Sequence, residues 1–323
     1  MKLINITFYK RNLVILSISI LNTLCVLFII FYKKNTIEDL NLIDDSTQWI
    51  ENQDIEDMMT GQNFMNICLN KQIVRNDIAV WTLLADEVEN YGIGAIKLLK
   101  SIRKNVKTTK FDSFVLELVN KPIKPKRMRD EILKAGWRIC QVNRIAPRDE
   151  NKTRNLFRDT FTALILWNAT DYKAHYHFDS DMLVLRNIDD LFSIHTKFDS
   201  DIHKMGCTRD WRENKWQETF NMGAFVVKPN QTEFNRLIEL KNDPNFHYEM
   251  IMSQQGFLNV VYKNRWYEIG FENSANLVLY VANRDFWNEK EKFINIIHYT
   301  MQKPWSCSEK VYKKQCDLWR RFN

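Results

Sequence analysis

Two aspartates separated by one residue stand where an apolar run ends. The run reaches Phe178 and is followed by Asp179, Ser180 and Asp181, after which a second apolar run begins at Met182. Two carboxylates this close at the end of a buried strand repel each other unless a positive charge lies between them. A divalent cation supplies that charge, because hard cations prefer carboxylate oxygen as a ligand. The pattern therefore predicts a metal site that can also hold a pyrophosphate group.

The composition indicates a folded chain with a large core and a mixed surface. The chain has 323 residues, 45% of them hydrophobic, and its 8 Gly and 6 Pro argue against fibrous or low-complexity classes. The net charge of +6 fits some bias toward anionic ligands. The densest basic run, residues 121–129, is interpreted as a solvated helix start. No long basic block is present, so we expect no nucleic-acid partner.

The N-terminal residues predict attachment to a membrane. Residues 12–32 are mostly apolar, carry no charge and are long enough to span a bilayer as a helix. The flanking basic residues slightly favour a cytosolic N-terminus. A cleaved signal peptide is the alternative, but the apolar part is too long and no small-x-small cleavage site follows. The expected domains are a cytosolic tail (1–11), a transmembrane signal anchor (12–32), a stem (33–76), a globular domain (77–305) and a C-terminal tail (306–323).

Cysteines and glycosylation sequons beyond the anchor fit an oxidising lumen. Five cysteines follow residue 32 at spacings that match no zinc pattern: Cys68, Cys140, Cys207, Cys307 and Cys316. Cys307 and Cys316 are near enough in sequence to close a small loop. The odd count leaves at least one thiol free or bonded to another chain. Three sequons begin at Asn151, Asn168 and Asn230.

From residue 77 onward, predicted strands alternate with predicted helices. Strands are expected at 78–84, 111–119, 138–142 and 174–178, and helices at 92–105, 125–135 and 157–167. Such alternation indicates an α/β fold with a mostly parallel sheet flanked by helices. Ligands of these sheets bind outside the carboxyl ends of the strands, where Asp179 and Asp181 lie.

The second half of the chain is less regular. Further strands are predicted at 204–208, 220–228 and 295–299, and helices at 232–240 and 253–262. Residues 209–220 contain few aliphatic side chains and are interpreted as a loop.

Four motifs occur in the order that is typical of one enzyme family. They are Phe178-Asp-Ser-Asp-Met-Leu-Val-Leu-Arg-Asn-Ile-Asp-Asp-Leu-Phe192, Phe220-Asn-Met-Gly-Ala-Phe-Val-Val227, Gln255-Gly-Phe-Leu-Asn259 and His298-Tyr-Thr-Met-Gln-Lys-Pro-Trp305. From about residue 78 to 305 the chain resembles glycosyltransferase family 8, which includes glycogenin, galactinol synthases and plant glucuronosyltransferases. The resemblance implies a GT-A fold, one Rossmann-like domain that binds a nucleotide sugar through Mn²⁺, and sugar transfer with retention at the anomeric carbon.

The resemblance also implies roles for residues at matching positions. Asp179 and Asp181 would bind the metal with His298 as the third protein ligand, which leaves a divalent cation net positive and open to phosphate oxygens. Asn221 and Gly223 would lie on the strand that meets the donor sugar, where a glycine lets the backbone approach closely.

Other matching residues would contact the rest of the donor. Lys303 would add a point charge at the diphosphate, and Gln255 would lie beside the reacting carbon, where a carboxamide can both donate and accept hydrogen bonds. With Gln254 and Asn221, Gln255 makes up the candidate catalytic set. The remaining candidates for donor contacts are Thr82 at the nucleoside, Tyr91 as a base-stacking residue, Arg154 and Arg158 at the phosphates, and Ser180.

Two positions depart from the family pattern. Gln254 stands where the family usually has an aspartate, and Ala163 stands where the preceding helix usually carries a lysine or another polar donor. A carboxamide can orient a sugar hydroxyl but cannot act as a carboxylate nucleophile. The losses favour a neutral hexose over an acidic sugar, but weakened or lost chemistry is the other interpretation. A front-face mechanism, in which the leaving phosphate assists, would tolerate Gln254.

Some polar and aromatic residues near these motifs are interpreted as structural. His177 shares strand parity with Asp179 but is expected to be structural or to support the metal ligands from behind. Asp189 and Asp190 are interpreted as a helix-start pair. Trp211 and Trp216 would either stack on an acceptor sugar or pack the loop, and the sequence leaves both open.

The sequence thus predicts a single-pass Golgi transferase that moves a hexose from a UDP-sugar, with Mn²⁺, to an unknown lumenal acceptor, which is a glycan, a protein or a small molecule. A homodimer through the stem or a free cysteine is left open. A nucleotidyltransferase is disfavoured by the residues after Asp181 and by the Lys-Pro-Trp ending. A non-catalytic UDP-binding or scaffold protein of the same fold is the alternative.

Overall fold

The computed structural model describes residues 76–85, 89–199, 201–307 and 309–322. All of them fall within one compact unit. The predicted cytosolic tail, anchor and stem lie outside these residues, apart from residue 76. Among the described helices, none is both long and apolar enough to cross a membrane.

A seven-stranded sheet lies at the centre of the described residues, in the order β3-β2-β1-β4-β7-β6-β8. Strands β1 to β4 run parallel to one another, whereas β7 runs antiparallel to β4 and β6. The predicted mostly parallel sheet is confirmed. The strands are β1 (Ile78–Leu84), β2 (Asp112–Leu118), β3 (Arg138–Val142), β4 (Ala174–Phe178), β6 (Met205–Arg212), β7 (Lys215–Val227) and β8 (Trp266–Glu268).

Helices cover both faces of this sheet. Helices α1 (Glu89–Asn105) and α2 (Lys126–Lys134) pack on one face, where α1 buries Ala95, Leu98 and Ile102 at helical spacing. Helix α2 begins directly after Pro125, whose fixed φ suits a helix start, and ends near Gly136, whose φ of 98° stops it.

The opposite face carries three further helical segments. They are a 3₁₀ segment (Thr160–Trp167), α3 (Gln231–Asn242) and α4 (Ser253–Val261). Their core side chains include Phe161, Trp167, Leu237 and Phe257. The helix expected at 157–167 is therefore present as 3₁₀ structure, preceded by a second short 3₁₀ turn (Asn155–Phe157).

A second, three-stranded sheet packs beside the first and completes the site region. It consists of β5 (Met182–Val184), β10 (Ile296–His298) and β9 (Ala275–Asn276). Its apolar residues form a separate core together with helices α5 (Val278–Ala282), α6 (Arg284–Lys290) and α7 (Glu309–Arg321). Most of the segment that the sequence marks as a tail, residues 306–323, is thus a packed helix.

The interpretation of residues 209–220 as a loop was wrong. Strands β6 and β7 continue through this segment as an antiparallel ribbon that pairs Arg212 with Lys215. Glu213 and Asn214 form the two-residue turn with φ of 52° and 58°, the backbone that matches strand twist. Trp211 and Trp216 face each other across the ribbon, with ring centroids 5.1 Å apart, and such aromatic cross-strand pairs stabilise strand pairing without aliphatic residues.

The predicted small disulfide loop is confirmed, and the structure shows how exposed each sequon is. Cys307 and Cys316 form a disulfide, and Cys207 is a free, buried thiol. Cys140 is also disulfide-bonded. Asn151 and Asn230 are exposed, whereas Asn168 is only 7% exposed and cannot accept a glycan in the folded protein.

The two aspartates after the metal motif have different roles. The Asp189 carboxylate accepts hydrogen bonds from the backbone N–H groups of Lys107, Thr108 and Thr109, in the loop after α1. These bonds lower the pKa of Asp189. Asp190 precedes a 3₁₀ segment (Leu191–Lys197) but makes no capping hydrogen bond with its side chain. Both aspartates were expected at a helix start, but only Asp190 lies at one.

Candidate active site

Three side chains of types that can bind a metal meet where strands of the two sheets end. Asp179 and Asp181 follow β4, and His298 is the last residue of β10. One ligand atom from each lies within 4.8 Å of the others. The His298 Nε2 atom is 3.6 Å from Asp179 Oδ2 and 3.4 Å from Asp181 Oδ1. The structure therefore brings together the three residues that the sequence predicts as ligands.

Backbone pairing holds these residues in place. The antiparallel pairing of β5 with β10 sets His298 opposite Met182, one residue after Asp181. The Asp179 N–H donates to the Gly223 carbonyl at 2.8 Å, and the Tyr299 N–H donates to the Asp181 carbonyl at 3.1 Å. The turn is thus attached to both sheets.

Two glycines allow the close packing around this turn. A Cβ at Gly94 of α1 would collide with the Ser180 carbonyl, so the helix reaches the turn only because that atom is missing. A Cβ at Gly223 would collide with the imidazole ring of His298. The sequence predicts Gly223 beside the donor sugar, and the structure shows in addition that it makes room for the ring of His298.

The charges of the two carboxylates differ because their surroundings differ. Burial alone would raise the pKa of Asp181, but His298 and Lys303 lower it to about 2. Burial and the charge of Asp181 raise the pKa of Asp179 to about 7. Since 48% of the Asp179 side chain is exposed to the cavity, we assign that shift mainly to repulsion from Asp181.

Lys303 provides the positive charge nearest the pair. Its amine donates to Asp181 Oδ2. Burial works against the ammonium form, but the charge of Asp181 raises the pKa of Lys303 above its usual value. The side chain retains 29% exposure, so it also faces the cavity where the sequence places the diphosphate.

The residues of the cluster fit a divalent cation. Two carboxylate oxygens and an imidazole nitrogen are ligands for cations such as Mn²⁺, and no thiolate among the described residues joins them. The Nδ1 atom of His298 has no hydrogen-bond partner among the described residues. The ring is held instead by packing against Gly223.

A cavity of about 480 Å³ opens from the cluster. This volume lies in the range of small-molecule sites. The candidate site residues that line it are Tyr91, Arg154, Asp179, Ser180, Asp181, Asn221, Gly223, Gln254, Gln255, His298 and Lys303. One cavity thus contains nearly the whole predicted site.

Two predicted donor-binding residues do not line the cavity. Thr82 is fully buried in β1, and the cavity wall begins one residue later at Leu83. The Arg158 Nε atom donates to the Glu150 carbonyl at 3.1 Å, and neither of these residues lines the cavity. Tyr91 packs edge-on against Trp305, at 4.7 Å between ring centroids, with Lys303 Nζ 6.0 Å from the Tyr91 ring.

A hydrogen-bond network orients the polar wall of the cavity. Gln255 Oε1 accepts from the Met222 N–H at 3.1 Å and from Asn221 Nδ2 at 3.4 Å. Gln255 Nε2 donates to Asp210 Oδ2 at 3.3 Å. Arg212 Nε donates to the same Asp210 oxygen at 2.9 Å. The orientation of the predicted catalytic glutamine is therefore set from three directions.

Sequence reasoning missed Asp210. This carboxylate is 5% exposed and lines the cavity, and burial raises its pKa although Arg212 partly offsets the effect. Its only signal in the sequence is a charged residue just after a short apolar run, within the segment interpreted as a loop. The two tryptophans of that segment differ in their surroundings. Trp211 lines the cavity, whereas Trp216 packs against Phe271 and Phe286.

Substituting Gly223 tests the link between this glycine and the metal ligand. We expect Gly223→Ala to push the His298 ring out of place and to weaken Mn²⁺ binding more than about tenfold. Overpacking should also lower the free energy of unfolding by about 1–3 kcal/mol. Calorimetry with Mn²⁺ and thermal unfolding measure the two effects.

The matched control uses the same change in a His298→Ala background, where the ring that the new methyl would meet is absent. There Gly223→Ala should cost little further stability, because the two changes act on one contact. Equal costs in both backgrounds would contradict the proposed packing.

Comparisons with known proteins agree with this arrangement. Over 269 residues the chain is 27% identical to inositol phosphorylceramide glucuronosyltransferase 1 of Arabidopsis thaliana, covering 75% of this chain and 45% of that protein. Over 244 residues it is 27% identical to glycogenin-1 of Caenorhabditis elegans, covering 72% and 52%. The chain thus spans about half the length of these relatives.

A solved structure shares the fold. The galactosyltransferase LgtC, in complex with donor and acceptor sugar analogs, superposes with a TM-score of 0.51 at 15% identity, covering 76% of this chain and 94% of that one. At that identity the likeness shows a GT-A-like α/β fold alone. The model of glycosyl transferase family 8 matches residues 84–308. That match covers well over half of the sequence, and the chain belongs to glycosyl transferase family 8.

Proposed function

We propose that this protein is a metal-dependent, retaining glycosyltransferase that moves a neutral hexose from a UDP-sugar to a lumenal acceptor. The observation that carries the proposal is the cluster of Asp179, Asp181 and His298 at the end of a cavity that Lys303 also lines. A nucleoside diphosphate leaves readily only when its developing charge is neutralised. A cluster that can hold a divalent cation, with an ammonium group beside it, supports that chemistry.

Each residue at the site has a distinct task in this proposal. A bound divalent cation would supply positive charge to the diphosphate, and Asp179, Asp181 and His298 would hold it. Lys303 would stabilise the leaving phosphate as a point charge. Gln255, oriented by its contacts with Met222 and Asp210, would offer hydrogen bonds beside the reacting carbon.

The donor sugar is inferred from the charges that line the cavity. Ala163 lines it where the family usually has a polar donor. Two of the lining cations have carboxylate partners outside the metal cluster: Lys121 contacts Asp159, and Arg212 contacts Asp210. We assign Arg154, which also lines the cavity, to the phosphates. No lining cation is thereby assigned to an acidic sugar, which favours a neutral hexose.

The names of several relatives specify UDP-glucuronate as the donor. Several are glucuronosyltransferases, and glycogenin-1 and galactinol synthase 2 of Solanum lycopersicum are also similar. UDP-glucuronate is therefore an essential arm of any donor test. The alternative function is UDP binding without turnover, and the observation that favours it is Gln254 in place of an aspartate.

A lumenal location in the secretory pathway, of the Golgi type, is part of the proposal. The Cys307–Cys316 disulfide and the disulfide-bonded Cys140 support an oxidising compartment. Exposed sequons at Asn151 and Asn230 support the same side of the membrane. We also propose that the metal is Mn²⁺ and that the apolar segment 12–32 is an uncleaved anchor.

The metal assignment is tested by Asp181→Ala. Loss of this carboxylate leaves the metal one charge short, so the affinities for Mn²⁺ and for UDP in the presence of Mn²⁺ should both fall by more than about tenfold. Calorimetry measures both. The matched control is Asp190→Ala, which removes the same charge from an exposed position outside the cavity and should change neither affinity. Unchanged affinity in the Asp181 variant would sink the assignment.

Donor use is tested by turnover across a panel of UDP-glucose, UDP-galactose, UDP-xylose and UDP-glucuronate, with hydrolysis as the readout. We expect a neutral UDP-hexose to be used best. The panel is repeated with Gln254→Asp, which restores the carboxylate of the family. Gln254→Asn is the control, because asparagine has the length of aspartate but no charge. Mn²⁺-dependent UDP binding without any turnover by the native chain, together with a gain of hydrolysis in the Asp variant alone, would favour the non-catalytic alternative.

Membrane insertion and glycosylation are tested in cells. The protein should resist extraction by alkaline carbonate, and peptide N-glycosidase should lower its apparent mass. Asn151→Gln and Asn230→Gln should each remove part of that mass shift, whereas Asn168→Gln should leave it unchanged because that side chain is buried. A soluble, secreted product would show that the apolar segment is cleaved.

A further inference from the structure

His177 is a buried side chain with unused hydrogen-bonding capacity in the cavity wall. It is 4% exposed, lies on β4 two residues before Asp179, and lines the same cavity. Neither of its ring nitrogens has a hydrogen-bond partner among the described residues. An unpaired buried polar group destabilises the fold, so such a group in a cavity wall points to a ligand that pairs with it.

The neighbouring histidine on the same strand shows how a structural histidine is held. His175 Nδ1 accepts from Trp81 Nε1 at 2.9 Å, and His175 Nε2 lies 2.7 Å from the Ala169 carbonyl. Both nitrogens of His175 are therefore satisfied within the protein, although it points to the same side of the strand as His177. A histidine on this strand can therefore find partners within the protein, and His177 does not.

The packing around His177 fixes its ring while leaving its polar edge free. The ring stacks on Phe225 of β7, with centroids 4.7 Å apart and an interplanar angle of 15°. Ala163, from the 3₁₀ segment that covers this face of the sheet, lines the same cavity with only a methyl group. A short side chain at this position leaves space for a ligand above the sheet.

We propose that His177 hydrogen-bonds a hydroxyl group of the donor hexose and thereby helps select the sugar. The inference rests on the proposed function and extends it to a residue that the sequence indicated as structural. Asp179 places the metal and the diphosphate about 7 Å further along the strand, at 3.3 Å per residue, and the hexose is attached to that diphosphate. An imidazole with one donor and one acceptor nitrogen suits a hydroxyl, which both donates and accepts.

Binding measurements test this without requiring turnover. Calorimetry with Mn²⁺ gives the affinities for UDP and for the best UDP-hexose of the panel, and their ratio isolates the contribution of the sugar. His177→Phe keeps an aromatic ring on Phe225 but removes both nitrogens. We expect the sugar contribution to fall by about 5- to 100-fold while the UDP affinity stays within about twofold.

Two further variants separate a binding role from a structural one. His177→Gln, which can still donate and accept, should restore part of the sugar contribution. His175→Phe should lower the melting temperature, because it removes the contacts of His175 with Trp81 Nε1 and the Ala169 carbonyl, but should leave the ratio unchanged. His177→Phe should not lower the melting temperature, since its nitrogens have no protein partners to lose.

The outcomes distinguish this inference from the proposed function. An unchanged ratio in His177→Phe, or a native chain that binds UDP but gains nothing from any attached hexose, would overturn the inference alone. A native chain that binds no UDP would overturn the proposed function and this inference with it. Deoxy analogues of the hexose give the confirming result: the analogue that lacks the recognised hydroxyl should bind native protein and His177→Phe equally well.

Discussion

The repulsion between Asp179 and Asp181 is the constraint on which the rest of the site depends. Two carboxylates at the end of a buried strand repel each other unless a positive charge faces them, and here the ammonium group of Lys303 does so, with the His298 ring beside the pair. The result is an uneven pair, with the pKa of Asp181 lowered and that of Asp179 raised. Ligand atoms of these two carboxylates and of His298 lie within 4.8 Å of one another, which is the spacing that a divalent cation would need.

The small second sheet brings His298 and Lys303 to the two aspartates. Residues of β5 continue directly from the aspartates, and β10 pairs with them to bring His298 to the turn. Lys303 follows β10 by a few residues and reaches the same turn. Helix α7 and the Cys307–Cys316 disulfide pack against this sheet in the same apolar core. The C-terminal part of the chain therefore acts on the site through the stability of the second sheet.

The wall of the cavity divides into satisfied and unsatisfied polar groups, and the difference has a physical meaning. Gln255 accepts a hydrogen bond from Asn221 and donates one to Asp210, so the orientation of these side chains is set before any ligand arrives. Nitrogen atoms of His177 and Gln254 and the indole nitrogen of Trp211 are buried without partners among the described residues, and all three side chains line the cavity. Groups of this second kind gain most when a hydroxylated ligand enters, which makes them suited to selecting a sugar.

The sequence by itself determined the α/β alternation, the position of the Asp-x-Asp turn at a strand end and the small disulfide loop, because these follow from local periodicity and short spacing. The family motifs also predicted that His298 and Lys303 lie beside the aspartate pair, although more than one hundred residues separate them in sequence. Only the tertiary structure decided that Thr82 and Arg158 lie away from the cavity, that residues 209–220 form a ribbon delivering Asp210, and that Gly223 makes room for His298. Those outcomes depend on strand pairing and on which face of an element meets its neighbour, and neither is encoded within a local window of sequence.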